Sequence, residues 1–179
     1  MRRLIPLLAL FLVGAGGDRP SLVDAAKNAD KEAVRTLLKQ GASVNAAEAD
    51  GTTALHWASY RDDLESADLL IRAGARVNAA NDLGATPLWT ACQNANAAMV
   101  RRLLQAGANP NAALLLGETI LMAAAHSGNS DIVEQLIAKG ANVNARAARG
   151  QTALMWSVGQ KHLAVTEDGI TWRDIPRPN

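Results

Sequence analysis

Glycines recur in this chain at intervals of 33 residues, and that interval limits the fold more than any other feature. The two series are Gly41, Gly74, Gly107 and Gly140, and Gly51, Gly84, Gly117 and Gly150. A fixed interval of this length indicates one small supersecondary unit repeated along the chain, each copy stacked on the next. Such a stack offers an extended recognition surface and no deep cleft, which favours binding over catalysis.

Each unit carries the signals of two helices and a turn. The second residue after each glycine of the second series is a threonine, which can cap the start of a first helix. These threonines are Thr53, Thr86, Thr119 and Thr152. A second apolar stripe with spacings of three and four then predicts another helix, as at Met99, Val100, Leu103 and Leu104. The first-series glycine ends that helix, because a left-handed backbone is easiest for glycine.

Two segments closely resemble the ankyrin repeat: Thr86-Pro87-Leu88, and the run from Gly140 to Ala145 with the sequence Gly-Ala-Asn-Val-Asn-Ala. The resemblance extends from about Leu22 to Thr166. It implies an all-α ankyrin-repeat solenoid of stacked antiparallel helix pairs with projecting hairpin loops, and a protein-binding role.

In ankyrin proteins the residue after the motif leucine is usually histidine, and here only His56 keeps it. Trp89, Met122 and Met155 stand at the equivalent positions of the later units. This departure predicts a weaker polar network and more apolar packing between those units.

The repeat boundaries divide the chain into four segments. These are a signal peptide at 1–15, a flexible linker at 16–20, an ankyrin domain at 21–166 and an irregular or disordered tail at 167–179. The domain contains an N-terminal partial repeat at 21–50, complete repeats at 51–83, 84–116 and 117–149, and a truncated repeat at 150–166. After Thr166 the apolar stripe is lost, since Gly169 stands where Leu136 stood and Arg173 where Gly140 stood.

The unit at 150–166 is followed by no polar capping repeat, so the apolar side of its helix is expected to be poorly covered. A tail from truncation or a shifted reading frame is one explanation, and Trp172 folding back as a cap is another.

The N-terminus has the organisation of a secretory signal. Arg2 and Arg3 precede a short apolar run at 4–13, and Val13-Gly14-Ala15 provides small residues for cleavage. We therefore expect export to the periplasm or the exterior, with no membrane association after cleavage. A bacterial envelope protein fits best, since the remaining chain has no Asn-x-Ser/Thr sequon. An uncleaved hydrophobic N-terminal helix is the alternative.

The sequence offers little support for catalysis, a metal or a cofactor. Cys92 is the single cysteine and lies at a small-residue position of a helix, which predicts a buried, inert thiol. His56, His126 and His162 lack metal-ligand spacing, and His56 is expected to be a packing residue with a satisfied hydrogen bond. The net charge of +1 gives no basic stripe for nucleic acid. We therefore expect no enzyme activity.

Three tryptophans on first helices have two interpretations. Trp57, Trp89 and Trp156 are either binding hot spots or members of the contacts between repeats, and their place beside the motif leucine favours the core.

The expected partner is an unidentified protein, bound through the concave face and the hairpin tips of the stack, with contacts at the tips and at the ends of the first helices. The family resemblance places the following residues there: Asp50, Thr52, Tyr60, Arg61, Asp82, Leu83, Gln93, Asn94, Leu115, Leu116, Glu118 and His126. The run Leu114-Leu115-Leu116 is unusual for a hairpin, because exposed apolar clusters often mark interaction sites. It either contacts a partner, packs under its neighbours or drives self-association.

We expect a monomer, with self-association through the open C-terminal edge or through that leucine run as the alternative. Two other functions are a structural spacer in a longer ankyrin array and a fragment of a larger catalytic protein.

Overall fold

The computed structural model describes residues 20–159, 164–166 and 169–171 of the chain. Within them, short helices follow one another in pairs, first helix then second helix, and each pair packs against the next. The first helices are α1 (Leu22–Lys27), α3 (Ala54–Tyr60), α5 (Pro87–Gln93), α7 (Ile120–Ser127) and α9 (Ala153–Gly159). The second helices are α2 (Lys31–Lys39), α4 (Leu64–Arg72), α6 (Ala97–Gln105) and α8 (Ser130–Ala138). The all-α solenoid is therefore confirmed.

Capping residues determine where the helices begin. The hydroxyls of Thr86 and Thr119 accept hydrogen bonds from the backbone N–H groups three residues later, at 3.2 and 3.3 Å. The second helices begin after an Asp or Asn whose side chain accepts a bond from the first turn, at Asp30, Asp63, Asn96 and Asn129. These side chains satisfy backbone donors that a helix start leaves free.

The buried core runs continuously through the stack. In consecutive second helices, Leu70, Leu103 and Leu136 occupy equivalent positions and are completely buried. In the first helices α3 and α5, alanines occupy one shared repeat position. These residues, Ala58 and Ala91, are also completely buried. Because alanine is small, neighbouring first helices approach closely, and the larger leucines fill the layer between second helices.

Glycine is required where each hairpin turns close to the next unit. Gly84 has a φ of +82°, and a Cβ atom added there would lie 3.1 Å from the carbonyl oxygen of Ala113. A side chain at Gly84 would therefore strain its own backbone and press on the following hairpin.

Three asparagines at one repeat position, Asn45, Asn78 and Asn111, each bridge to the following unit. In the middle bridge, Nδ2 of Asn78 donates to the Gly107 carbonyl oxygen at 3.0 Å. The Asn109 N–H donates to Oδ1 of Asn78 at 2.7 Å. The outer two bridges have the same form. Each asparagine thus pairs one orphan carbonyl and one orphan N–H group at the end of the next second helix.

His56 links α3 to the following unit by a second polar contact. The Thr53 N–H donates to Nδ1 of His56 at 3.1 Å. Nε2 of His56 lies 3.0 Å from the Ala85 carbonyl oxygen. Since a carbonyl only accepts, the hydrogen sits on Nε2, and the ring is neutral. Burial lowers the pKa of His56 from its ordinary value of 6.5, although the Ala85 carbonyl opposes the shift. The prediction of a packing histidine with a satisfied hydrogen bond is confirmed.

The C-terminal part differs from the sequence-based expectation. Strands β1 (Ala164–Thr166) and β2 (Gly169–Thr171) pair antiparallel, with Val165 opposite Ile170. Residues 164–166 were expected to end a truncated helical unit, and 169–171 to belong to an irregular tail. The β-branched residues Val165, Thr166, Ile170 and Thr171 favour strands instead. The signal peptide, the linker up to residue 19, His162, Trp172 and the rest of the tail lie outside the described residues.

The asparagine bridges predict a position-dependent effect on stability. Asn78→Ala removes two hydrogen bonds between units and should lower the free energy of unfolding by about 1–3 kcal/mol. Asn144 occupies the same repeat position, but its side chain makes no hydrogen bond to any described residue. Asn144→Ala is therefore the matched control and should change little. Urea unfolding followed by circular dichroism measures both, and equal losses would contradict the bridge.

His56 predicts a pH dependence of stability. Its folded pKa lies below that of the unfolded chain, so the unfolded state gains the proton first as the pH falls. The stabilisation is complete above about pH 6.5 and decreases below it, with a slope of up to about 1.4 kcal/mol per pH unit. His56→Met, which copies Met122 in the third unit, should flatten this dependence between pH 7.5 and 5.5. Unchanged pH dependence of the melting temperature in that variant would refute the assignment.

Candidate protein-binding surface

The ends of the first helices present exposed polar and aromatic side chains. Tyr60, Gln93 and His126 stand at the same position of three consecutive units, and all are exposed. Tyr60 is 52% exposed and packs edge-on against Trp57, with ring centroids 5.8 Å apart. This contact holds the Tyr60 ring in place on the surface.

Arg61 and Asn94 are exposed but also connect neighbouring units. Nε of Arg61 donates to the Lys27 carbonyl oxygen at 2.9 Å, and Nδ2 of Asn94 donates to the Tyr60 carbonyl oxygen at 2.8 Å. Each bond satisfies an orphan carbonyl at the end of the preceding first helix. Part of the hydrogen-bonding capacity of these two side chains is therefore used inside the stack.

The hairpin tips form a continuous hydrogen-bonded row. The Asp82 N–H donates to the Asp50 carbonyl oxygen at 2.8 Å, and the Leu115 N–H donates to the Leu83 carbonyl oxygen at 3.1 Å. The Ala148 N–H donates in the same way to Leu116 at 2.9 Å. Each tip is thus held against its neighbour, and the backbones of neighbouring tips have fixed relative positions.

Three leucines project from this row, and we call Leu83, Leu115 and Leu116 the leucine patch. They are 66%, 75% and 69% exposed. The alternative in which Leu115 and Leu116 pack under their neighbours is therefore wrong, and only Leu114 is partly buried. Because exposed leucines are adjacent on two linked hairpins, the leucine patch is a contiguous apolar surface.

Thr52 does not belong to the accessible surface. Only 9% of it is exposed, and both its hydroxyl and its N–H donate to the Asp50 carboxylate at 2.9 Å. These bonds lower the pKa of Asp50 from its ordinary value, so Asp50 carries its charge at the hairpin tip. The structure therefore gives Thr52 a structural role, while Asp50 and Asp82 remain exposed.

A cavity of about 130 Å³ lies between α5, α7 and α9, and we call it the helix cavity. Its lining consists of Trp89, Gln93, Glu118, Ala123, His126 and Trp156. Ala123 stands at the repeat position that Trp57 and Trp156 occupy in other units, so a small side chain leaves this space open. His126 packs edge-on against Trp156, with ring centroids 5.8 Å apart.

Two of the tryptophans that line the helix cavity carry buried donors without partners in the described part of the chain. The indole Nε1 atoms of Trp89 and Trp156 are inaccessible to solvent and have no hydrogen-bond partner among the described residues. An unpaired buried donor costs free energy, so each such group calls for an explanation. The expectation that Trp57, Trp89 and Trp156 pack against the core is confirmed, but the packing leaves two of them unsatisfied.

A second cavity of about 340 Å³ lies between the third and fourth hairpins, and we call it the hairpin cavity. Leu116, Glu118, Ala147, Ala148, Arg149 and Gln151 line it. Glu118, which is partly exposed, lines both cavities. Arg149 and the two cavities were not predicted from the sequence. The available signal was the loss of a large side chain at the repeat position of Trp57 and Trp156, where Ala123 stands in the third unit.

Cys92 is shielded from solvent. Cys92 is completely buried, and burial raises the pKa of its thiol, which keeps it protonated. No group of three His, Cys, Asp or Glu residues that could hold a metal ion occurs in the described ranges. No described helix is long and apolar enough to cross a bilayer.

A family model for ankyrin repeats, comprising three copies, matches residues 22–113 and again 113–167. Together these matches cover most of the chain, and they coincide with the stacked helix pairs. The chain belongs to the ankyrin-repeat family. Ankyrin repeats are generally protein–protein interaction modules, typically without enzymatic activity. A search of curated proteins found no match to this ankyrin protein.

Proposed function

We propose that this ankyrin protein binds a partner protein through its hairpin tips and the adjoining ends of its first helices. The observation that carries the proposal is the leucine patch, an exposed apolar surface fixed on a hydrogen-bonded row. A contiguous apolar surface of this kind is characteristic of interaction sites. Because the row is already ordered, binding there requires little loss of conformational entropy.

The ends of the first helices supply further exposed side chains. Tyr60 and His126 are exposed, and aromatic side chains of this type often anchor protein interfaces. Arg61 and Asn94 retain free donors beside them, so polar contacts can surround an apolar centre.

The leucine patch predicts that Leu115→Asp with Leu116→Asp weakens partner binding at least about tenfold while the melting temperature holds. A partner captured from an envelope extract and identified by mass spectrometry serves for the affinity measurement. Leu64→Asp is the matched control, because Leu64 is an exposed leucine on the second helix α4. Equal binding by the double variant and the control variant would count against the leucine patch.

The same double variant tests self-association. If light scattering finds a dimer of the native chain and a monomer of the variant, the patch joins two copies instead of binding a different protein. A large fall in the melting temperature would assign the two leucines to folding.

We propose further that residues 1–15 direct export, with cleavage after Ala15. The support is the order of charged, apolar and small residues at the N-terminus. The expected product in the periplasmic or secreted fraction begins at Gly16, and intact mass together with N-terminal sequencing measures it. A chain recovered only in the cytosol with Met1 or its adjacent residues intact would refute export.

A further inference from the structure

One repeat position of the hairpins carries an acid, two leucines and a base in four consecutive units. We call these residues the tip series: Asp50, Leu83, Leu116 and Arg149, each 33 residues after the one before. All four side chains are exposed. The two ends of the tip series therefore carry opposite charges, and its middle is apolar.

The tip series is evenly spaced, because the same backbone hydrogen bond joins each hairpin to the next. The carbonyl oxygens of Asp50, Leu83 and Leu116 each accept from an N–H group of the following hairpin, at 2.8, 3.1 and 2.9 Å. Three equivalent links place the four tips in a regular row. The midpoint of that row falls between Leu83 and Leu116.

Both terminal charges of the tip series are available to a partner. The hydroxyl and the N–H group of Thr52 donate to the Asp50 carboxylate, which holds it in place and lowers its pKa. Asp50 is therefore ionised. Arg149 makes no ion pair or side-chain hydrogen bond with any residue in the described ranges. Its guanidinium group keeps all of its donors for a carboxylate outside the chain.

A two-fold axis through the midpoint makes the row complementary to itself. Leu83 of one copy then lies against Leu116 of the second copy, and Asp50 lies against Arg149. Each contact occurs twice, as in every two-fold interface. Two rows that ran in the same direction would instead set Asp50 beside Asp50 and Arg149 beside Arg149, which like-charge repulsion disfavours.

We propose that the leucine patch binds a second copy of this chain, in an antiparallel dimer with two-fold symmetry. The leucines of the two copies form its apolar centre, and two pairs of Asp50 with Arg149 flank that centre. This inference rests on the proposed protein-binding function and names the partner and its orientation. Of the two states considered from the sequence, it chooses self-association through the leucine run over the monomer.

The dimer is expected to dissociate readily. Four hairpin tips supply few side chains, whereas stable interfaces use about 20–30 residues a side. Exposed ion pairs contribute little each and are screened by salt. We therefore expect association that increases with protein concentration and decreases as salt is added. Sedimentation velocity of the purified native chain over a range of concentrations measures the dissociation constant.

Asp82 provides a matched control for the charge of Asp50. It is exposed beside Leu83, and the two-fold arrangement places it opposite the third hairpin, which carries Leu115 and Glu118 but no basic residue. Asp50→Asn removes both charge pairs, keeps an oxygen for the Thr52 bonds, and should weaken the dimer about threefold or more. Asp82→Asn removes an equal charge and should not weaken it.

Exchange of the two charges tests the orientation directly. Asp50→Arg leaves both ends of the row basic, and Arg149→Asp leaves both ends acidic. Each variant alone should dimerise at least about tenfold more weakly than the native chain, because two attractions become two repulsions. An equimolar mixture of the two variants should associate one to one, since every arginine at an end then faces an aspartate. Sedimentation with one variant fluorescently labelled measures this.

A chain with both substitutions provides a second test. Asp50→Arg together with Arg149→Asp restores opposite charges at the two ends, so this chain should again associate with itself. Recovery of the dimer requires folded hairpins, and it therefore shows that weak association of Asp50→Arg alone is not a loss of structure. Circular dichroism and a thermal melt verify the fold of each variant.

The outcomes separate this inference from the proposed function. A native chain that stays monomeric up to about 1 mM would overturn the inference. Dimerisation of Asp50→Arg and Arg149→Asp, each as strong as that of the native chain, would overturn it as well. In either case, capture of a different protein that Leu115→Asp with Leu116→Asp weakens would leave the proposed function standing. If that double variant kept all self-association and all capture, both proposals would be wrong.

Discussion

Burial between neighbouring units is the interaction on which this ankyrin protein depends. A pair of helices of seven to nine residues, such as α5 and α6, cannot enclose its own apolar side chains. Leu103 is completely buried only because the adjoining pairs cover it from both sides. Polar bridges such as that of Asn78 then fix how one pair lies on the next. The flat, ordered row of hairpins follows from this regular stacking.

The regular parts of the fold could be predicted because they repeat. The 33-residue interval and the threonines placed the first helices, and the structure confirms Thr86 and Thr119 as caps. The turns between paired helices were harder to predict. Ala29, Asp62 and Ala95 have positive φ values there, where glycine is the usual signal. Alanine rarely adopts this conformation, so the local sequence does not indicate it at Ala29 and Ala95.

The hairpin β1–β2 illustrates a different limit. The repeat pattern extended the helical unit to Thr166, whereas β1 already begins at Ala164. A two-stranded pairing of three residues each depends on an alternation too short to stand out in the sequence.

The sequence indicated which residues lie at the hairpin tips, but not the surroundings of each side chain. The exposure of Asp82 followed from its place in the repeat, whereas the sequence left open whether Leu115 packs under its neighbours. Thr52 shares that place but turns its hydroxyl toward Asp50, which buries it. The cavities depend on differences between units, because Ala123 and Ala147 matter only when compared with Trp57 and Glu48. Such differences between equivalent positions are not part of the repeat pattern, so the pattern does not predict the cavities.

The asymmetry of the stack gives its two ends unequal resistance to opening. The N-terminal pair has both helices and is tied to the next unit by Arg35, which bonds to Glu65 at 2.6 Å. At the other end, α9 packs on α7 without a second helix of its own unit among the described residues, and Met155 and Val158 are half exposed. In a linear array, fluctuations start where a unit has the fewest neighbours. Amide hydrogens of α9 would therefore exchange earliest, and unravelling would progress from there toward α1.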